Sequence, residues 1–102
     1  MRIPNYAKQA AREALELRKT LPKSKQFGLS EEEANFLGIT SGVKRAKQIL
    51  RNYRLSKSDQ KAVCSFYQRF KGKSTPKVEG AIKLWGGRKF GREVCSYIKQ
   101  QS

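Results

Sequence analysis

With 102 residues, 37% of them hydrophobic, the chain is long enough for one domain with a modest core. Its formal net charge is +15, from 23 Lys and Arg against 8 Asp and Glu. No apolar run approaches the ~20 residues of a membrane span, and a chain with no His and two distant cysteines is a poor candidate for a structural zinc site.

The charge is unevenly placed. Residues 1–43 carry seven basic and five acidic side chains, whereas residues 44–102 carry sixteen basic and three acidic. Such self-repulsion costs stability, so a polyanionic partner is expected, and nucleic acid is the commonest one. Met1-Arg2-Ile3-Pro4-Asn5 runs straight into a mixed polar pattern, so no signal peptide is expected.

The first predicted helix starts at Asn5, which suits an N-cap, and runs to about Thr20, where Pro22 stops it. Ala7, Ala10, Ala11, Ala14, Leu17 and Leu21 recur at three- and four-residue steps, a stripe that permits close approach to a neighbour. A basic loop, Pro22 to Leu29, follows. Ser30-Glu31-Glu32-Glu33 then reads as a capping box opening a short helix to about Leu37. Consecutive helical side chains diverge by about 100°, so these glutamates are expected to serve the helix start rather than converge on a catalytic site.

Thr40 or Ser41 caps the next helix. Val43, Ala46, Ile49, Leu50 and Tyr53 form its apolar stripe. Lys44, Arg45, Lys47, Arg51 and Arg54 take up much of the remainder, and no acid falls between Glu33 and Asp59. A solvated face usually mixes signs, so this one is a candidate for tracking phosphates.

Ser56, with Asp59 three residues on, caps a helix reaching about Lys71. Val63, Phe66, Tyr67 and Phe70 recur at helical spacing and are read as core rather than as base-stacking platforms. Gly72 suits the helix end, and Lys71 to Lys77 is a second basic loop. Thr75-Pro76 opens another helix, with Val78, Ala81, Ile82 and Trp85 inward. Gly86-Gly87 ends it, and Phe90, Val94, Tyr97 and Ile98 mark a last helix running almost to the end. There is no strand alternation, internal repeat or low-complexity segment. The expected fold is all-α, a compact array of five to six short helices forming a single basic domain over residues 1–102. Cys64 and Cys95 fall on two of these helices. Two buried, reduced thiols are expected, with a single disulfide as the alternative if the two helices pack together.

Around the only Trp, Lys83 to Arg92 reads as a tight basic corner between helices. Gly86-Gly87-Arg88-Lys89 lacks the frame of a phosphate-cradling P-loop. The glycines are read as geometry, and Arg88, Lys89 and Arg92 as anion-binding cations.

Several segments together resemble a family of small proteins of tailed phages and large DNA viruses. They are Leu15-Glu16-Leu17-Arg18, Ser41-Gly42-Val43-Lys44-Arg45-Ala46, Leu55-Ser56, Phe66-Tyr67-Gln68-Arg69, and Leu84-Trp85-Gly86-Gly87 with Gly91. Order and approximate spacing agree from about Ala7 to Tyr97. The family often has His-Glu where this chain has Phe70-Lys71, and Asp where it has Arg88-Lys89. The resemblance implies a viral origin, with residence in host cytoplasm or virion, and carries no activity with it.

An enzyme is not expected: there is no His for general-base work, and residues 44–102 offer only Asp59, Glu79 and Glu93 as carboxylates. No cofactor or metal is expected. The functional expectation is a non-enzymatic module that binds nucleic acid, DNA ahead of RNA, mainly through phosphates. It would do so through Lys44, Arg45, Lys47, Arg51, Arg54, Arg88, Lys89 and Arg92. The alternative is a virion structural protein, minor capsid or cement, that meets acidic capsid subunits with the same cations.

Overall fold

This computed structural model describes residues 1–27 and 41–101, and five α-helices order the described residues. They are α1 (Asn5–Thr20), α2 (Gly42–Arg51), α3 (Lys57–Phe70), α4 (Pro76–Leu84) and α5 (Arg88–Gln101), with a short 3-10 turn at Lys23–Lys25. The all-α array expected from the sequence is what forms. The capping box at Ser30 and its glutamates lie outside the described residues. The Cα radius of gyration is 12.8 Å, the size of a folded chain of about 100 residues.

Among the described residues the most extensive helix contacts are those of α3 with α5, α1 with α4 and α1 with α2. Small side chains permit the last two. Ala7, Ala11 and Ala14 are fully buried at steps of four and three, so α1 presents an almost bare backbone to its neighbours. Ile49 of α2, Val63 of α3, Leu84 at the end of α4, and Phe90 and Val94 of α5 meet in the centre, each 1% exposed or less.

Local signals fix most helix starts. Ser41, Ser56 and Thr75 each accept a hydrogen bond from the backbone N–H three residues on, and Pro76 occupies the first turn of α4. The start of α1 differs from expectation. Pro4, not Asn5, precedes the helix, in extended geometry and with no side-chain cap, and its carbonyl accepts from the N–H groups of Ala7 and Lys8. The expected apolar stripes also shorten. Leu17 is 51% exposed. Tyr53 is 57% exposed because α2 stops at Arg51, where Asn52 turns extended and breaks the helical period. The N-terminal segment instead pairs with this linker, Ile3 N–H donating to the Tyr53 carbonyl at 2.9 Å and Leu55 N–H to that of Met1 at 2.8 Å. The Arg2 guanidinium covers the exposed Tyr53 ring at 4.5 Å.

The α4–α5 corner is a Schellman motif. Gly87 N–H donates to the Ile82 carbonyl at 2.9 Å and Gly86 N–H to that of Lys83 at 3.0 Å, with Gly86 and Gly87 at φ of 103° and 92°. Gly72 needs no such geometry: α3 ends through Lys71, and Gly72 keeps negative φ. Trp85, just before the corner, stacks on Phe66 at 4.3 Å and 4°, and Phe70 tilts against Phe66 at 4.7 Å. These rings are packing, as their spacing suggested.

Cys64 of α3 and Cys95 of α5 form a disulfide, with Cα atoms 5.0 Å apart. The expectation of reduced thiols is thereby corrected. Its physical cause is the antiparallel pairing of α3 with α5: three residues beyond Cys64, the Tyr67 ring seats on Gly91, four residues before Cys95.

Candidate nucleic-acid interface

The eight cations selected from the sequence separate into structural and exposed groups. Arg45 is 4% exposed. Its guanidinium pairs with Asp59 at 2.7 Å, donates to Gln48 and lies 4.9 Å from the Trp85 ring centroid. Its Nε is buried with no hydrogen-bond partner among the described residues. Burial would raise the Asp59 carboxyl, but hydrogen bonds from Arg45, Ser56 and Gln48 and the Arg45 charge outweigh it and hold the pKa below the usual value. Arg45 thus ties α2 to α3 and offers little surface to solvent. Sequence spacing placed it on a cationic face because the period does not register that Asp59, fourteen residues on, turns towards α2.

Arg88 is also occupied. It pairs with the Glu79 carboxylate and donates to the Lys71 carbonyl at 2.8 Å and the Lys73 carbonyl at 2.6 Å. The hydrogen bond from Arg88 lowers the Glu79 carboxyl and raises Arg88 in turn. This side chain fastens the second basic loop to the α4–α5 corner. Lys89 is exposed, its ammonium 4.5 Å from the centroid of the Tyr6 ring. The Tyr6 hydroxyl donates to the Glu93 carboxylate. Burial, then that hydrogen bond and the Glu93 charge, push its pKa well above the ordinary value.

All three acids of residues 44–101 therefore face intramolecular partners: Asp59 meets Arg45, Glu79 meets Arg88 and Glu93 meets Tyr6. Lys44, Lys47, Arg51, Arg54 and Arg92 are exposed. Lys44 and Arg51 flank a shallow depression that also reaches Asn52 and the Arg45–Asp59 pair.

Two further depressions lie along α3 and α5. The first, of about 490 Å³, takes in Arg54, Lys57 and Lys61 with Tyr97 and Ile98. The second, of about 650 Å³, takes in Lys71, Arg92 and Lys99 with Tyr67 and the Cys64–Cys95 bridge. Ile98 lines both, and among the described residues no acid lines either. Of the eight selected cations, Arg54 and Arg92 belong here. Lys57, Lys61, Lys71 and Lys99 lie outside the set that the sequence picks out. Their signal was present: Lys57, Lys61, Gln68 and Lys71 fall at steps of four, seven and three, and Arg92 and Lys99 seven apart, each set on one helical face. What hid it was the pairing of two helices distant in sequence.

Among the described residues no helix is long and apolar enough to cross a membrane. Compared with protein-family models, curated proteins and solved structures, the chain finds no match in any of the three.

Proposed function

We propose that the protein is a non-enzymatic nucleic-acid-binding module, DNA ahead of RNA, that works chiefly through phosphate contacts. The observation that carries this reading is the disposal of its acids. In residues 44–101 each carboxylate meets an intramolecular partner, while Lys44, Arg51, Arg54, Lys89 and Arg92 stand at the surface. A surface with a large excess of positive charge, whose few acids are already paired, attracts a polyanion and releases that polyanion's counterions on binding.

A salt-titrated gel shift tests it. With about five phosphates neutralised, log affinity for a duplex should fall against log salt with a slope of about −4 to −5. Lys44→Glu with Arg51→Glu should weaken binding at fixed salt and leave helical content unchanged, because neither side chain is in the core. Arg88→Glu is unsuitable for this purpose, since it breaks the Glu79 pair and frees the basic loop. Absence of binding to any nucleic acid at low salt sinks the reading. Equal displacement by polyglutamate would instead favour an acidic protein surface as partner.

A further inference from the structure

We infer that the seam between α3 and α5 is a track for a single strand of nucleic acid, with bases against Tyr67 and Tyr97 and phosphates along the lysine and arginine rims. This rests on the nucleic-acid reading and narrows it to one surface and one form of ligand.

The two depressions on this seam have the same composition. Each holds one half-buried tyrosine, three cationic side chains and apolar floor, and Ile98 joins them. The antiparallel pairing places both depressions along α3 and α5, with Ile98 lining each. From Lys57 to Lys71, the C-cap of α3, is fourteen residue steps, about 21 Å at 1.5 Å per residue. Arg92 and Lys99 run back along α5 on the other side. The disulfide and the seat of Tyr67 on Gly91 hold the two walls together.

This composition discriminates between ligand forms. A duplex presents phosphates outward and hides its bases, so it has no use for an apolar, aromatic floor between charged rims. A single strand exposes both, and stacking on an aromatic ring with a cationic path for the backbone is how such strands are held without sequence readout. The depression flanked by Lys44 and Arg51 offers no aromatic ring and includes Asp59, so it lacks half of this chemistry. The exposed cations there can meet phosphates of either form.

The test is fluorescence anisotropy on the intact, oxidised chain with three labelled probes at equal salt: dT20, rU20 and a mixed-sequence 20-base-pair duplex. The single strands should bind at least about tenfold more tightly than the duplex. Lys61→Glu and Arg92→Glu, both on exposed side chains, should each lower single-strand affinity about tenfold while changing duplex affinity about threefold or less. Tyr97→Ala should cost at least about fivefold on the single strands, the floor for one lost base–aromatic stack, and Tyr97→Phe should restore it. Lys44→Glu should weaken both forms alike and leave their ratio unchanged. If single strand and duplex bind equally and the seam variants do not alter the ratio, the track is overturned while the nucleic-acid reading stands. If none of the probes binds at low salt, both fall. Should Tyr97→Ala not fold, the two charge reversals decide the matter alone.

Discussion

At the scale of single residues, the division between cations that build the fold and cations that meet a partner is set by what each one touches. Arg45 and Lys44 are neighbours in sequence, yet the first is 4% exposed between Asp59 and Trp85 and the second lies open on α2. Removing Arg45 leaves a gap against the indole, deprives Gln48 of this donor and leaves Asp59 with Ser56 and Gln48 alone. Asp59 is about a quarter exposed and can recover water, which moderates the cost. Arg45→Ala should therefore destabilise the protein by about 2–3 kcal/mol in urea unfolding. Lys44→Ala should change stability by about 0.5 kcal/mol or less. Binding should respond in the opposite order: weakened by Lys44→Ala, and unchanged by Arg45→Ala at temperatures where the variant is folded. If Arg45→Ala loses affinity while retaining full stability, its guanidinium reaches the ligand and the structural assignment fails.

At the scale of elements, α3 and α5 are joined by a covalent bond in addition to packing. The disulfide closes a loop with a sequence separation of 31, which restricts the unfolded chain by about 3–4 kcal/mol on a chain-entropy basis. Reduction, or Cys64→Ser with Cys95→Ser, should lower the melting temperature by about 10–20 °C. An unchanged melting temperature would mean that Gly91, Tyr67 and Val94 suffice to hold the pair. That pairing also marks the limit of what the sequence reveals. The starts of α2, α3 and α4 were legible because Ser41, Ser56 and Thr75 act on backbone atoms three residues away. The Gly86-Gly87 corner was legible for the same reason: its chemistry is local. Whether Cys64 and Cys95 pair was not, because the contact that decides it joins two helices with α4 between them. The same holds for the charged surface. Lys44 and Arg51 share a helix face that spacing alone exposes, whereas the seam belongs to α3 and α5 jointly and has no continuous sequence signature. Arg45 and Arg88 show the converse effect: the acids that engage them, Asp59 and Glu79, lie on other helices.

At the scale of the whole molecule, a net charge of +15 makes stability and binding answer to salt with opposite signs. The cations sit on a body with a radius of gyration of 12.8 Å, comparable with the Debye length of about 10 Å at 0.1 M salt, so dilute buffer leaves their mutual repulsion largely unscreened. Added salt should therefore raise the melting temperature of the protein alone by several degrees between about 20 mM and 0.5 M. A bound single strand supplies counter-charge directly. At about one hundred times its dissociation constant in dilute buffer, it should stabilise the fold by ~2.7 kcal/mol, a rise of about 10–20 °C. At a fixed oligonucleotide concentration that gain should disappear as salt reaches 0.5 M, because phosphate contacts lose several orders of magnitude in affinity over this range. Melting curves of the oxidised protein, with and without dT20 across a salt series, should therefore start far apart and converge from opposite directions. A bound-state melting temperature that stays high at 0.5 M salt would show that apolar stacking, rather than phosphate charge, carries most of the affinity. A free protein that loses stability as salt rises would show that its cations are already neutralised within the fold, and the case for a polyanionic partner would go with it.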